Sequence, residues 1–313
     1  MSGVVPCHGA PPRAQSDYAG ELLTRCGFPD PGEGQVALAV SGGADSLALM
    51  VLAARAGLDG TAIHVDHGLR PGSGEESAVV AGAARRYGFG FVALEVVVGD
   101  GPDLEARARK ARYAALPPGV LTGHTMDDQA ETVLLNLLRG AGPDGLAAMA
   151  GAARAQSVRR PLLGLRRAET EALCAAEGLV PLSDPSNLDR RFRRNRVRLE
   201  VMPLLCSVAQ RDVVPLLARA AEVASLDAAY LESLAAGIDP ADARSLAAAP
   251  AALARRAVRG WLRACGDAER HPPSLAEVER VLEVARGDRR ACELAGGRRV
   301  WRSRGKLTCG ETS

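Results

Sequence analysis

VALAVSGGADSLALMVLAARAG (36–57) decides the architecture. Its first five residues form a short, continuous apolar run, and the last twelve carry a helical pattern. Between them Gly42 and Gly43 let the backbone turn sharply and approach a ligand closely. The N–H groups of such a turn and of the helix that follows point at an anion. Ser41 and Ser46 add hydroxyl donors. Asp45 repels a phosphate when alone, so its presence suggests Mg²⁺ between carboxylate and phosphates. The plainer alternative is a Gly-Gly turn with Asp45 or Ser46 as a helix cap. A strand, then S-G-G-x-D-S, then a helix is more specific than that alternative requires. The loop lacks G-K-S/T and is not a Walker A loop.

The same alternation continues outward. Apolar runs stand at 61–65 (TAIHV), 91–98 (FVALEVVV) and 120–124 (VLTGH), with helical patterns at 75–88, 103–116 and 126–140 between and after them. Near-continuous apolar strands separated by helices predict an α/β fold, a parallel sheet with helices on both faces. Such sheets bind ligands on the rim that carries the loops leaving the strands. A Gly-rich stretch (140–154) interrupts the pattern, RRPLLGL (159–165) reads as a further strand, and 168–179 reads as a helix. An Arg-rich helix from Phe192 to the Pro203 region follows. Ala/Leu/Arg helices and a short β-like end complete the chain. The expected division is a loose leader over 1–18, a catalytic domain over 19–207 and a small, mainly helical domain over 208–313, with the boundary near 205–212.

Composition bounds the partners. The chain has 313 residues, 47% hydrophobic and 24% charged, long enough for two domains. No apolar run approaches the ~20 residues of a membrane span, and no signal peptide is evident, so a cytoplasmic protein is expected. Seven scattered cysteines include no C-x-x-C pair and no zinc spacing. Net charge is only +2, but Arg190, Arg191, Arg193, Arg194, Arg196 and Arg198 cluster.

Three further segments carry candidate chemistry. In HVDHGLR (64–70), His64, Asp66 and His67 lie at a strand end, where a satisfied histidine, a turn aspartate or a metal pair are the ordinary readings. In GHTMDDQAET (123–132), Thr125 and Asp128 fit a capping box. Asp127, Asp128 and Glu131 together are more acid than a cap requires. RFRRNRVRLEVMPLL (191–205) reads either as a solvated charged helix or as a contact for nucleic-acid phosphates.

Taken in order, these segments resemble the tRNA(Ile)-lysidine synthetase family of the PP-loop ATP pyrophosphatase superfamily. The resemblance rests on Ser41 to Ser46, His64 to Arg70, Arg109/Arg112/Tyr113, Gly123 to Thr132, Arg139 to Gly142, Pro161 to Leu163, Asp184 to Asn187 and Arg194 to Arg198. It implies a PP-loop fold and a ligase that converts the wobble cytidine of the CAU anticodon of tRNA(Ile) to lysidine. ATP would adenylate the C2 oxygen with release of pyrophosphate, and free L-lysine would then displace AMP. It further implies that Ser41, Gly42, Gly43, Ala44, Asp45 and Ser46 hold ATP phosphates and that His64, Val65, Asp66 and His67 border the adenosine. Gly123 and Arg109 join the ATP site, and Arg112 neutralises phosphate charge. Asp45, Asp128, Glu131 and Arg112 are the expected catalytic set, with Asp45 and Asp127 as Mg²⁺ ligands. Arg194, Asn195, Arg196 and Arg198 are expected to contact tRNA. A homodimer is one compatible state. Two other classes share the loop: tRNA thiolases, which generally use cysteine pairs, and nucleotide-binding modules without catalysis.

Overall fold

The computed structural model describes residues 18–66, 73–96, 104–152, 158–182, 185–265 and 273–311. The expectations placed on His67, Asp184 and residues 1–17 lie outside these residues. Tyr18 belongs to the first helix, α1 (Tyr18–Leu23), rather than to a leader, because Ala19 and Leu22 are drawn into the core.

Among the described residues five strands form one parallel sheet: β1 (Val36–Ala39), β2 (Gly60–Asp66), β3 (Gly90–Glu95), β4 (Val120–Thr122) and β5 (Val158–Arg159). Their order is β3-β2-β1-β4-β5. The chain builds outward from β1 in one direction, then returns to add β4 on the other side, pairing Leu38 with Leu121 and Ala39 with Thr122. The switch point therefore lies between β1 and β4, and the crevice beyond their carboxyl ends is where such sheets take ligands. Both loops singled out from the sequence, 41–46 and 123–128, leave the sheet there. The strand expected over 159–165 is only the two residues of β5. Pro161 has no N–H to donate, and the chain turns through to Leu165 instead.

Helices α2 (Ala44–Arg55), α3 (Ser73–Arg86), α4 (Leu104–Ala115), α5 (Met126–Leu138) and α8 (Arg167–Ala176) connect and flank the strands, with two short helices, α6 (Pro143–Leu146) and α7 (Ala148–Ala152), between α5 and β5. Helix α2 is apolar all round, from Leu47 to Ala53, and every one of those side chains is buried. A helix without a polar face must lie inside, and each fully buried Leu or Met in it contributes roughly 1.5–3 kcal/mol. The first turn of α2, which carries the phosphate loop, is thereby fixed by its own buried continuation. The Gly-rich stretch forms α6 and α7, held by Gln129, which accepts from the Met149 N–H (2.9 Å), and by Asn136, which donates to the Gly145 carbonyl (2.7 Å).

The Arg-rich segment is helical as expected, in three joined pieces: α9 (Arg193–Arg196), a π-helical turn (Val197–Val201) and α10 (Met202–Ala209). After it comes α11 (Val214–Ala235). The chain divides into two compact units, Met1–Ser225 and Leu226–Ser313. That division falls inside α11, beyond the 205–212 region suggested by the change of pattern. The cause is apolar: Met202, Cys206, Val213, Val214 and Leu217 pack with Ala130 and Leu134 of α5.

The second unit contains α12 (Ala243–Ala248), α13 (Ala251–Ala264) and α14 (Leu275–Arg286) with an antiparallel meander, β6 (Ala291–Leu294), β7 (Arg298–Ser303) and β8 (Lys306–Glu311). Val258, Leu262, Val278, Val281, Val300 and Leu307 make its core.

Candidate active site

The phosphate loop is built by its own short hydrogen bonds. Ser46 Oγ donates to the Gly43 carbonyl (2.8 Å) and accepts from the Ser41 N–H (3.2 Å), which curls 41–46 into a cradle. Gly43 is the N-cap of α2 in extended conformation, leaving the first N–H groups of the helix directed outward. Gly42 stands at φ +87°, and a Cβ there would run into Leu182. Leu182 donates its N–H to the Gly42 carbonyl (3.0 Å), so the segment after α8 holds the loop from behind. Gly123 is needed for a related reason: a Cβ on it would meet the backbone carbonyl of Asp45. The loop after β4 thus lies directly against the loop after β1.

The acid turn opens α5. Asp128 accepts from the Thr125 N–H (2.9 Å) and Thr125 Oγ1 (3.1 Å), the capping arrangement expected from spacing. It also accepts from Arg167 Nη2 and Arg194 Nη2, each at 2.9 Å. Glu131, one turn on and only 2% exposed, accepts from Arg167 Nη1 (3.2 Å), Arg194 Nε (2.8 Å) and Arg198 Nε (2.7 Å). Burial disfavours the charge on Asp128, but the guanidiniums of Arg167 and Arg194 outweigh it and hold its carboxyl well below the usual range.

Asp45 is bound less fully. It accepts from Thr170 Oγ1 and lies 3.4 Å from Arg167 Nε. Burial dominates there, with Asp128 adding repulsion, and pushes its carboxyl up to about 6 despite Arg167. Asp45 is therefore a carboxylate short of positive charge, next to a phosphate loop.

The other expected residues divide. Val65 and Asp66 end β2, next to β1 in the sheet. His64 is buried, and its Nδ1 lies 2.9 Å from the Val40 carbonyl, so it buttresses the end of β1. Arg112 lies exposed on α4, the helix that also carries Arg109, whose side chain is outside the described residues. Asp127 stands in a separate group. Arg166 grips it through Nε and Nη2, both at 3.1 Å, and the same guanidinium bonds Asp212 at the start of α11. Both carboxylate oxygens of Asp127, expected as a Mg²⁺ ligand, thus accept from Arg166.

The arginine cluster also divides by face. Arg194 and Arg198 point inward to Glu131 and Asp128, and buried Asn195 donates to the Asp189 carbonyl (2.9 Å). The described bonds of these three thus run inward, to the acids of α5 and to the loop before α9. Arg190, Arg191, Arg193 and Arg196 are exposed, Arg196 bonding only its helical neighbour Glu200 (3.1 Å) among the contacts described.

Comparison with known proteins extends this geometry. A family model described as a PP-loop domain matches residues 19–205, and one described as the TilS substrate binding domain matches 242–308. The tRNA(Ile)-lysidine synthase of Nocardia farcinica is 44% identical over 290 residues, covering 87% of this chain and 91% of that one. That of Salinispora tropica is 42% identical and covers 90% and 91%. The chain belongs to the tRNA(Ile)-lysidine synthase family. The U34-tRNA thiolase NcsA from Methanococcus maripaludis, solved with its 4Fe-4S cluster, shares the fold: TM-score 0.51, 16% identity, covering 71% of this chain and 80% of that one.

For a lysidine synthase family member the sequence reading missed two side chains that complete the site, Arg167 and Thr170, and two that belong with Asp127 to the separate group beside it, Arg166 and Asp212. All four lie in the segment around α8 or just before α11. Their signal was weak, since RRAET (166–170) reads as an ordinary helix start. His124, 2.8 Å from Thr122 Oγ1, is a fifth.

Proposed function

We infer that this chain is a tRNA-modifying ligase that forms lysidine in tRNA(Ile), using ATP. The observation that carries the reading is the paired loops at the β1–β4 switch point. One is shaped for phosphate and the other carries buried acids, in a chain that matches lysidine synthases over most of its length.

The residues suit two half-reactions. In the first, the C2 oxygen of the wobble cytidine attacks the α-phosphorus of ATP, the bond to the β-phosphate oxygen breaks, and pyrophosphate leaves. Backbone N–H groups of 42–46 and the hydroxyls of Ser41 and Ser46 would hold the phosphates. In the second, the neutral ε-amine of lysine attacks C2 and AMP departs with the former C2 oxygen. The amine has an unperturbed pKa of ~10.4, so it must first lose a proton. Asp45, less fully bound by arginine than Asp128 and with its carboxyl raised to about 6, is the candidate to hold the ammonium and take that proton.

The donor set also fits Mg²⁺. Three carboxylates (Asp45, Asp128, Glu131) meet three guanidiniums (Arg167, Arg194, Arg198), so the site is near charge balance before a polyphosphate enters. Among the described residues no group of three or more His, Cys, Asp or Glu side chains could hold a metal alone. Mg²⁺ commonly binds through one or two carboxylates plus substrate phosphates. Asp45 would hold it, and it would neutralise phosphate charge there.

The exposed face of the arginine cluster, Arg190, Arg191, Arg193 and Arg196, is the proposed tRNA contact, together with the second unit. Burial pushes the thiols of Cys26 and Cys174 up to about 12, which keeps both protonated and unsuited to sulfur transfer. No single described helix is long and apolar enough to cross a membrane. A tRNA substrate and free thiols accord with a cytoplasmic enzyme. The test is incubation with ATP, Mg²⁺, labelled lysine and tRNA(Ile) bearing a CAU anticodon. Label is expected in the tRNA with one AMP formed per lysine. Nucleotide binding without incorporation would overturn the reading.

A further inference from the structure

Arg167 joins the two halves of the site. Its Nη2 and Nη1 donate to Asp128 (2.9 Å) and Glu131 (3.2 Å) on α5, while Nε reaches Asp45 on the first turn of α2 at 3.4 Å. Its backbone N–H donates to Asp127 (2.8 Å), which pins the start of α8 to α5 a second time. Thr170, one turn along α8, takes the other oxygen of Asp45. The polar side-chain link described between the phosphate loop and the acids of α5 therefore passes through α8. The grip is uneven: the bonds to α5 are shorter, and the reach to Asp45 is the longest. A guanidinium has five N–H donors in a rigid fork, of which these contacts use three.

We propose that Arg167 is a positioning residue for the activating half-reaction. It sets Asp45, and with it the phosphate loop, at a fixed distance from Asp128 and Glu131. A displacement of about 1 Å between reacting groups costs ~100-fold in rate, which sets the expected loss when the link is cut. The proposal rests on the ATP-dependent reading given above.

The experiment compares full-length wild type, Arg167→Gln, Arg167→Lys and Arg166→Gln, with tRNA(Ile), ATP and Mg²⁺. It records kcat and KM for pyrophosphate release, lysine incorporation, and Tm. In Arg167→Gln, Asp128 and Glu131 keep Arg194 and Arg198, so the protein is expected to fold. Its kcat should fall ~100-fold while KM for tRNA stays within ~3-fold. Arg167→Lys, which restores the charge without the fork, should recover to within ~10-fold of wild type. Arg166→Gln severs the neighbouring bonds to Asp127 and Asp212 and should lower Tm with kcat within ~3-fold. Near-wild-type kcat in Arg167→Gln would overturn the proposal alone, as would parallel losses of kcat and Tm in both Gln variants. Absence of lysine incorporation by wild type would overturn the functional reading and this proposal with it.

Discussion

Replacing Glu131 by Gln probes whether the inward-facing arginines are internal structure. Glu131 is 2% exposed and takes bonds from three guanidiniums, the longest two at 3.2 Å. Gln has one carbonyl oxygen and would turn its amide N–H₂ toward Arg198 or Arg194. About two charge-assisted bonds are lost, each worth roughly 1.5–3 kcal/mol, and an uncompensated buried cation remains. Breaking a buried pair from one side costs about 3–5 kcal/mol. For a domain of this size, each kcal/mol lowers Tm by about 2–4 °C, so a drop on the order of 10 °C is expected. Urea titration and calorimetry measure it, at low salt and in 1 M NaCl. The penalty should persist in high salt, because buried pairs are poorly screened. Arg196→Ala is the matched control. Its exposed bond to Glu200 is worth roughly 0.3–0.5 kcal/mol, and its removal should be nearly silent. A loss below about 1 kcal/mol in Glu131→Gln would show that the arginines are solvated and that no internal ion lattice exists.

Two other perturbations follow from the same geometry. The Asp45 carboxyl is raised from 3.8 to about 6 in the folded chain, so the folded state holds that proton more tightly than the unfolded state. The contribution of Asp45 to stability is fully present below about pH 4, is lost as pH rises through the window from 4 to 6, and is absent above it. A rise of this size corresponds to roughly 3 kcal/mol. Without nucleotide, Asp45→Asn should be more stable than wild type by up to that amount at pH 8, with the gap closing toward pH 4, and a gap independent of pH in urea titrations refutes the assignment. Replacing Arg193 and Arg196 by Ala should weaken tRNA binding and reduce the slope of log K against log salt by about 0.7–0.9 for each phosphate left without its arginine. Arg194→Ala should instead act mainly on stability, and an equal change of slope in that variant would contradict the inward placement.

Much of the site's frame was legible in the chain itself. The apolar run 36–40, the Gly-Gly turn and the all-apolar helix after it specify strand, cradle and buried helix, because burial imposes a period on neighbouring residues. The cap at Thr125 was legible for the same local reason. The order of these segments was sufficient to point to the lysidine synthase family. Tertiary structure decided what pairs with what. Arg167 meets Asp45, Asp128 and Glu131 across separations of 122, 39 and 36 residues, and no periodicity records such a meeting. It decided that His64 supports β1 through its backbone and that Asp127 answers Arg166. It also split the arginine cluster. A run of like charges looks the same on paper whichever way its side chains face. Only the buried acids of α5, brought to one side of α9, determine that Arg194 and Arg198 turn in while Arg193 and Arg196 stay out.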